Sequence, residues 1–168
     1  MLKIKLKNQE GFVLLFAVVL ASILLSITLG ISNIALKELK FSTSARETND
    51  AFFAADSGIE CALMSDKIPA PNRFNSPPPH ASTTISCNGN GTIPASYTGS
   101  ATTGTYTFIL TGLGSNNSSC ARVTIDKDDN AVFPQFQTHI TSKGYNIGNA
   151  LCNSSNPDRV ERQIETKY

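Results

Sequence analysis

From Phe12 to Leu36 the chain carries no charged side chain, a run of 25 residues that follows a short leader, residues 1–11, containing Lys3, Lys5 and Lys7. A bilayer core is crossed by about 20 apolar residues of helix, so this run is long enough to span one. A secretory signal peptide has an apolar core of only about 7–15 residues, closed by a cleavage site between small side chains. Here the apolar run continues past Ala21 and Ser22 without stopping. The stretch reads as a retained membrane helix, and the remainder must fold beside it.

No proline occurs before Pro69, so nothing forces the helix to break at the membrane edge. Lys37, Glu38 and Lys40 mark that edge. Beyond it Phe52, Ala55, Ile59, Ala62 and Leu63 recur at spacings of three and four, one face of an amphipathic helix. One continuous helix is expected from Phe12 to about Leu63, apolar all round in residues 12–36 and two-faced in residues 37–63. A glycine in a helix costs about 1 kcal/mol against alanine, so each asks for a reason. Gly30, among Ser26, Thr28 and Ser32, suits a bend, and Gly58, beside Ala54, Ala55 and Ser57, suits close approach of a sheet. Simple packing remains the plainer reading of both.

The remaining residues, 64–168, read as one β-rich domain. Residues 69–100 are rich in proline, serine, threonine, asparagine and glycine, with a stiff Pro77-Pro78-Pro79 and a turn-rich Asn88-Gly89-Asn90-Gly91. This segment reads as a partly ordered loop tied down at Cys87. Strands are expected where Tyr106, Phe108 and Leu110 alternate with Thr105, Thr107 and Ile109, and where Val123 and Ile125 alternate with Arg122 and Thr124. A weaker strand covers residues 135–142 around Ile140, and at the end Val160, Ile164, Thr166 and Tyr168 oppose Glu161, Gln163, Glu165 and Lys167. Short connections between such strands imply an antiparallel sheet with one wet face. The expected fold is α+β, with Phe52, Ala55, Gly58, Ile59 and Leu63 of the helix packed on Phe108, Leu110, Val123 and Ile164.

The four cysteines, Cys61, Cys87, Cys120 and Cys152, include no C-x-x-C pair. An even count points to two disulfides in an oxidising compartment, and so to this domain lying outside the membrane. Charge leaves orientation undecided, because Lys3, Lys5 and Lys7 face Lys37, Lys40 and Arg46 across the span. Three cysteine pairings exist. The expected one is Cys61–Cys87, which would pin the proline-rich loop to the helix end, with Cys120–Cys152 at one end of the sheet.

Residues that suggest chemistry have plainer readings. Asp126-Lys127-Asp128-Asp129-Asn130 looks like a calcium loop, yet an EF-hand needs glycine at its sixth position and glutamate at its twelfth. Those positions hold Ala131 and Gln137, so a polar hairpin turn is expected. His80 and His139 have no ligand at metal-site spacing and read as surface or hairpin residues. The sequons at Asn90, Asn116, Asn117 and Asn153 arise easily by chance in polar loops. No nucleophile elbow, P-loop or zinc-protease motif is present, so no catalytic residue, metal or cofactor is expected. Formal charge is +1; losing the leader removes three of the 14 basic and one of the 13 acidic residues, leaving 11 and 12, a net −1. The positive excess of a nucleic-acid-binding domain is missing.

The leader, Gly11-Phe12, the apolar helix and the segment Ala51-Phe52-Phe53-Ala54-Ala55-Asp56-Ser57-Gly58-Ile59-Glu60 together resemble the N-terminal region of PilX-type minor type IV pilins. The likeness covers residues 11–63. Gly144-Tyr145-Asn146, Cys152 and Arg159-Val160-Glu161-Arg162 are similar, less specifically, to the ends of prepilin-type proteins from uncultivated bacterial lineages. The resemblance implies cleavage between Gly11 and Phe12 by a prepilin peptidase and N-methylation of Phe12. It also implies partnership with other pilin subunits and the pilus assembly platform, as a single-pass membrane protein that later joins a cell-surface fibre. Two departures stand out. The fifth mature residue, glutamate in most major pilins, is Phe16, which resembles minor pilins and pseudopilins that prime or cap a fibre. Glu10 precedes the cut where leaders often have a basic residue nearby, a role left to Lys7. The alternative is a single-pass anchored extracellular binding domain that never polymerises. It accommodates the helix and cysteines but gives no reason for Gly11-Phe12 or for residues 51–60.

Overall fold

A computed structural model of the chain describes residues 10–67, 74, 80–87, 89–130 and 138–168. One helix, α1 (Glu10–Lys67), is followed by six strands: β1 (Thr83–Cys87), β2 (Asn90–Gly99), β3 (Thr103–Leu113), β4 (Ser119–Asp128), β5 (Thr138–Tyr145) and β6 (Glu161–Lys167). The strands form one antiparallel sheet in sequence order, with the helix packed on it, an α+β arrangement. The helix runs four residues past the expected Leu63, and through Gly30 without a break.

The chain divides into two units, Met1–Ser44 and Ala45–Tyr168. In the first, every described side chain from Gly11 onward is exposed. This part of α1 is long and apolar enough to cross a membrane. Four hydroxyls of the apolar run bond within the helix: Ser22 donates to the carbonyl of Val19, Ser26 to that of Ser22, Thr28 to that of Leu25 and Ser32 to that of Thr28, at 2.7–2.9 Å. Such back-bonding satisfies these four groups without water.

The second unit holds the core. Tyr106, Phe108 and Leu110 of β3 alternate inward, as do Ala121, Val123 and Ile125 of β4 and Ile140 of β5. Ile164 and Thr166 of β6, and Tyr168 just after it, turn partly inward, and Glu161, Gln163, Glu165 and Lys167 face solvent. The strand expected over residues 135–142 is found as Thr138–Tyr145, extending three residues beyond Ser142, and residues 135–137 lie outside the described set. The segment expected to be a loop tied at Cys87 contains a hairpin instead, β1 against β2, turning at Gly89, whose φ of +69° favours glycine. Its alternation (Ile85 and Cys87, then Ile93 and Ala95, all buried) is diluted by threonine, serine and proline, which suit a half-wet edge. Pro77-Pro78-Pro79 lies outside the described residues.

Candidate functional site

The residues with functional claims fall along α1 and its seat on the sheet. Gly11, Phe12 and Phe16 lie in the exposed first part of the helix, and an added Cβ at Gly11 would meet nothing within 4 Å. Residues 1–9 of the leader fall outside the described residues.

The seat is built from small side chains. Ala51, Ala54, Ala55, Gly58 and Ala62 recur at helical spacing, and all are buried. A Cβ at Gly58 would sit 2.2 Å from Ser142 Oγ and 2.8 Å from Val123 Cγ2. From the other side, a Cβ at Gly144 would sit 2.1 Å from the Ala51 carbonyl oxygen and 2.2 Å from the Ala55 nitrogen. Helix and strand backbones thus meet with almost nothing between them, which only glycine at both contacts allows. Ile59 is buried beside this line and Leu63 is half-buried against the same core.

Phe52 departs from expectation. It is 47% exposed and stacks edge-on against the exposed Phe53, ring centroids 5.9 Å apart. The buried stripe passes through Ala51, one residue earlier, because a benzyl group cannot enter a contact this close. The signal that would have placed it was the recurrence of alanine and glycine, not of large apolar residues.

Cys61 is joined to Cys87 and Cys120 to Cys152. The first fastens the last turns of α1 to the β1–β2 hairpin. The second holds the loop after β5 against the start of β4, where Gly148 lies against Cys120 so closely that a Cβ would be 2.1 Å from its sulfur. That loop is ordered by Asn146 and Arg159, which the sequence marked only through resemblance and not through any local pattern. Asn146 accepts from the Val160 amide at 2.7 Å and donates to the Asp158 carbonyl at 3.1 Å. Arg159 donates to the Cys152 carbonyl at 2.7 Å and lies 3.6 Å over the Tyr145 ring, a cation–π contact.

The aspartates of the calcium-like run point to separate partners. Asp126 accepts from the Thr105 hydroxyl at 2.6 Å, Asp128 from the Asn130 amide at 3.0 Å, and Asp129 lies 2.9 Å from His80 Nε2. This is turn and ladder chemistry; Ala131 and Gln137 lie outside the described residues. Among the described residues no cluster of His, Cys, Asp or Glu is arranged to hold a metal ion. His80 is not the surface residue expected. It is buried beside Tyr97 and Tyr106, and its amide donates to the Ala101 carbonyl at 3.2 Å. The aspartate satisfies one ring nitrogen, while the buried Nδ1 has no hydrogen-bond partner among the described residues. His139 is half-exposed, with Glu165 3.3 Å from one nitrogen and Asp126 3.9 Å from the other.

One charged cluster is fully enclosed. Asp66, in the last turn of α1, lies 2.6 Å from Lys127 Nζ of β4, with both side chains at most 4% exposed. Lys127 also donates to the Thr138 hydroxyl at 2.9 Å, and the Tyr168 hydroxyl donates to the other Asp66 oxygen. Burial first, and then the neighbouring carboxylate, hold the Tyr168 hydroxyl protonated far above its ordinary 10.0.

Compared with protein families, curated proteins and solved structures, the chain matches none.

Proposed function

We propose that the chain is a minor pilin or pseudopilin. In this reading a prepilin peptidase cuts between Gly11 and Phe12, the new Phe12 amine is methylated, and the subunit is assembled at or near the tip of a type IV pilus-like fibre. The observation that carries the reading is the contrast along one helix. Residues 11–44 of α1 are apolar over most of their length yet bury nothing, while residues 45–67 form the buried seat of a disulfide-bonded sheet domain. An apolar helix exposed all round must find its cover outside its own chain. Lipid serves before assembly, and the like helices of neighbouring subunits serve afterwards. The sheet domain would lie outside the membrane, where its disulfides persist.

Phe16 supports the position at the tip. Without a carboxylate there the subunit offers no partner to another subunit's N-terminal amine, and an unpaired ammonium in an apolar bundle is costly. A fibre of this chain alone should assemble poorly. The test is quantitative mass spectrometry of sheared, purified fibres: the subunit should be present at a small fraction of the major subunit. Equal abundance would refute the tip position, and absence from fibres of a producing host would favour the anchored, non-polymerising domain.

A further inference from the structure

The enclosed Asp66–Lys127 pair plays no part in the fibre reading, and its arrangement is that of two groups set to react. We propose that Asp66 and Lys127 condense to an isopeptide bond between Cγ of Asp66 and Nζ of Lys127, a covalent clasp from the last turn of α1 to β4. The inference does not rest on the fibre reading, because an anchored domain would carry the same clasp.

Placement is the first argument. Nζ lies 2.6 Å from Oδ1, and both side chains are sealed from solvent. Lys127 is paired directly with Thr138 in the ladder, and the Thr138 backbone is bonded in both directions to Tyr168. Lys127 of β4, Thr138 of β5 and Tyr168, the residue after β6, thus stand side by side beneath Asp66. Holding two reactants side by side turns a bimolecular condensation into an intramolecular one.

The hydrogen bond between the two groups is the second argument. Nζ donates to Asp66 Oδ1 and to Thr138 Oγ1. In the proposed step a proton passes from Nζ to Oδ1 along the first of these bonds, leaving an amine facing a carboxylic acid.

The third argument is the Tyr168 hydroxyl, which donates to Oδ2. The nitrogen lone pair adds to Cγ, and the charge that develops on Oδ2 is met by that O–H, as an oxyanion-hole donor does. Oδ1, already carrying one proton, takes a second from the nitrogen and leaves as water. One C–N bond forms, one C–O bond breaks, one water is released and no oxidant or reductant is needed.

The experiment is tandem mass spectrometry of the full chain, purified in detergent, with cysteines reduced and alkylated before digestion. The expected product is a branched peptide joining the Asp66 and Lys127 segments, lighter by one water than the two linear peptides together. Lys127→Arg keeps the charge but lacks a condensable amine, and should yield only linear peptides. The proposal is overturned by linear, unmodified Asp66 and Lys127 peptides from the wild-type chain, or by loss of water without a branch. A branch that persists in Lys127→Arg would overturn it as well. The wild-type readout stands even if that variant fails to fold.

Discussion

Gly144→Ala tests the seat of the helix at its tightest point. Gly144 lies in β5, between Ala121 of β4 and Arg162 of β6, so the strand cannot slide away without breaking two ladders. The added methyl would sit 2.1 Å from the Ala51 carbonyl oxygen, 2.2 Å from the Ala55 nitrogen and 2.8 Å from the Ala55 Cα. All three atoms are helix backbone, so no rotamer change relieves the clash, and the helix must lift by roughly 1 Å to reach ordinary contact. Lifting loosens Ala51, Ala54, Ala55, Gly58 and Ile59 together. Overpacking of this kind costs about 1–3 kcal/mol, and the upper half of that range is expected because the obstruction is backbone. The assay is urea unfolding of the detergent-solubilised chain, followed by near-ultraviolet circular dichroism of the buried tyrosines. With a slope of about 1–3 kcal/mol per M, the midpoint should fall by roughly 1 M at unchanged slope. Gly30→Ala, where a Cβ meets nothing within 4 Å, is the control and should leave that transition in place. A Gly144→Ala midpoint equal to or above wild type would refute the close-contact account.

Gly58→Ala should cost less, about 0–2 kcal/mol, because overpacking of about 1–3 kcal/mol is offset by about 1 kcal/mol of helix propensity. Its nearest obstruction is the Ser142 side chain, so Ser142→Gly should partly rescue it, and strict additivity in the double mutant would contradict the contact. Opening the Cys61–Cys87 bond, which spans 26 residues, by replacing both with serine should lower stability by about 2–4 kcal/mol; an unchanged urea midpoint would show that the hairpin needs no such tether. Glu161 gives a pH dependence. Burial alone would raise its pKa, but hydrogen bonds with Tyr145 and Lys143 outweigh it, so the folded value lies below the ordinary 4.5. The stabilisation is therefore present above 4.5 and lost as pH falls through the depressed value. Amide exchange along β5 and β6 should rise over that window, and Glu161→Gln should flatten the rise; a variant that keeps the same acid limb would contradict the assignment.

Much of the fold was legible because its signals are local. The unbroken helix followed from the charge-free run and the missing proline, and β3, β4 and β6 followed from period-two alternation. The β1–β2 hairpin escaped because its inward residues, Ile85, Cys87, Ile93 and Ala95, are separated by residues that also build loops. The helix face was misread at one residue, Phe52, for a different reason. Large side chains mark a buried face where helix and sheet stand at ordinary distance, whereas here Gly58 and Gly144 bring the backbones together and leave Phe52 outside. His80 and the Asp66–Lys127–Tyr168 cluster depend on contacts between distant segments, His80 with Asp129 and Asp66 with Tyr168, and no local period encodes them. What bears on processing, Gly11, Phe12 and Phe16, was read from resemblance, and the geometry adds only that these residues stand exposed on a helix.

The central claim is that this helix is made to be cut and assembled, and the N-terminus of the mature chain tests it most directly. Mass spectrometry should be applied to the protein recovered from a host with an active prepilin peptidase, beside a Gly11 variant carrying a bulky side chain. The account predicts a wild-type chain that begins at a methylated Phe12, and a variant that keeps all of residues 1–11 and stays in the membrane. A wild-type chain that retains Met1 and the leader under those conditions would contradict it.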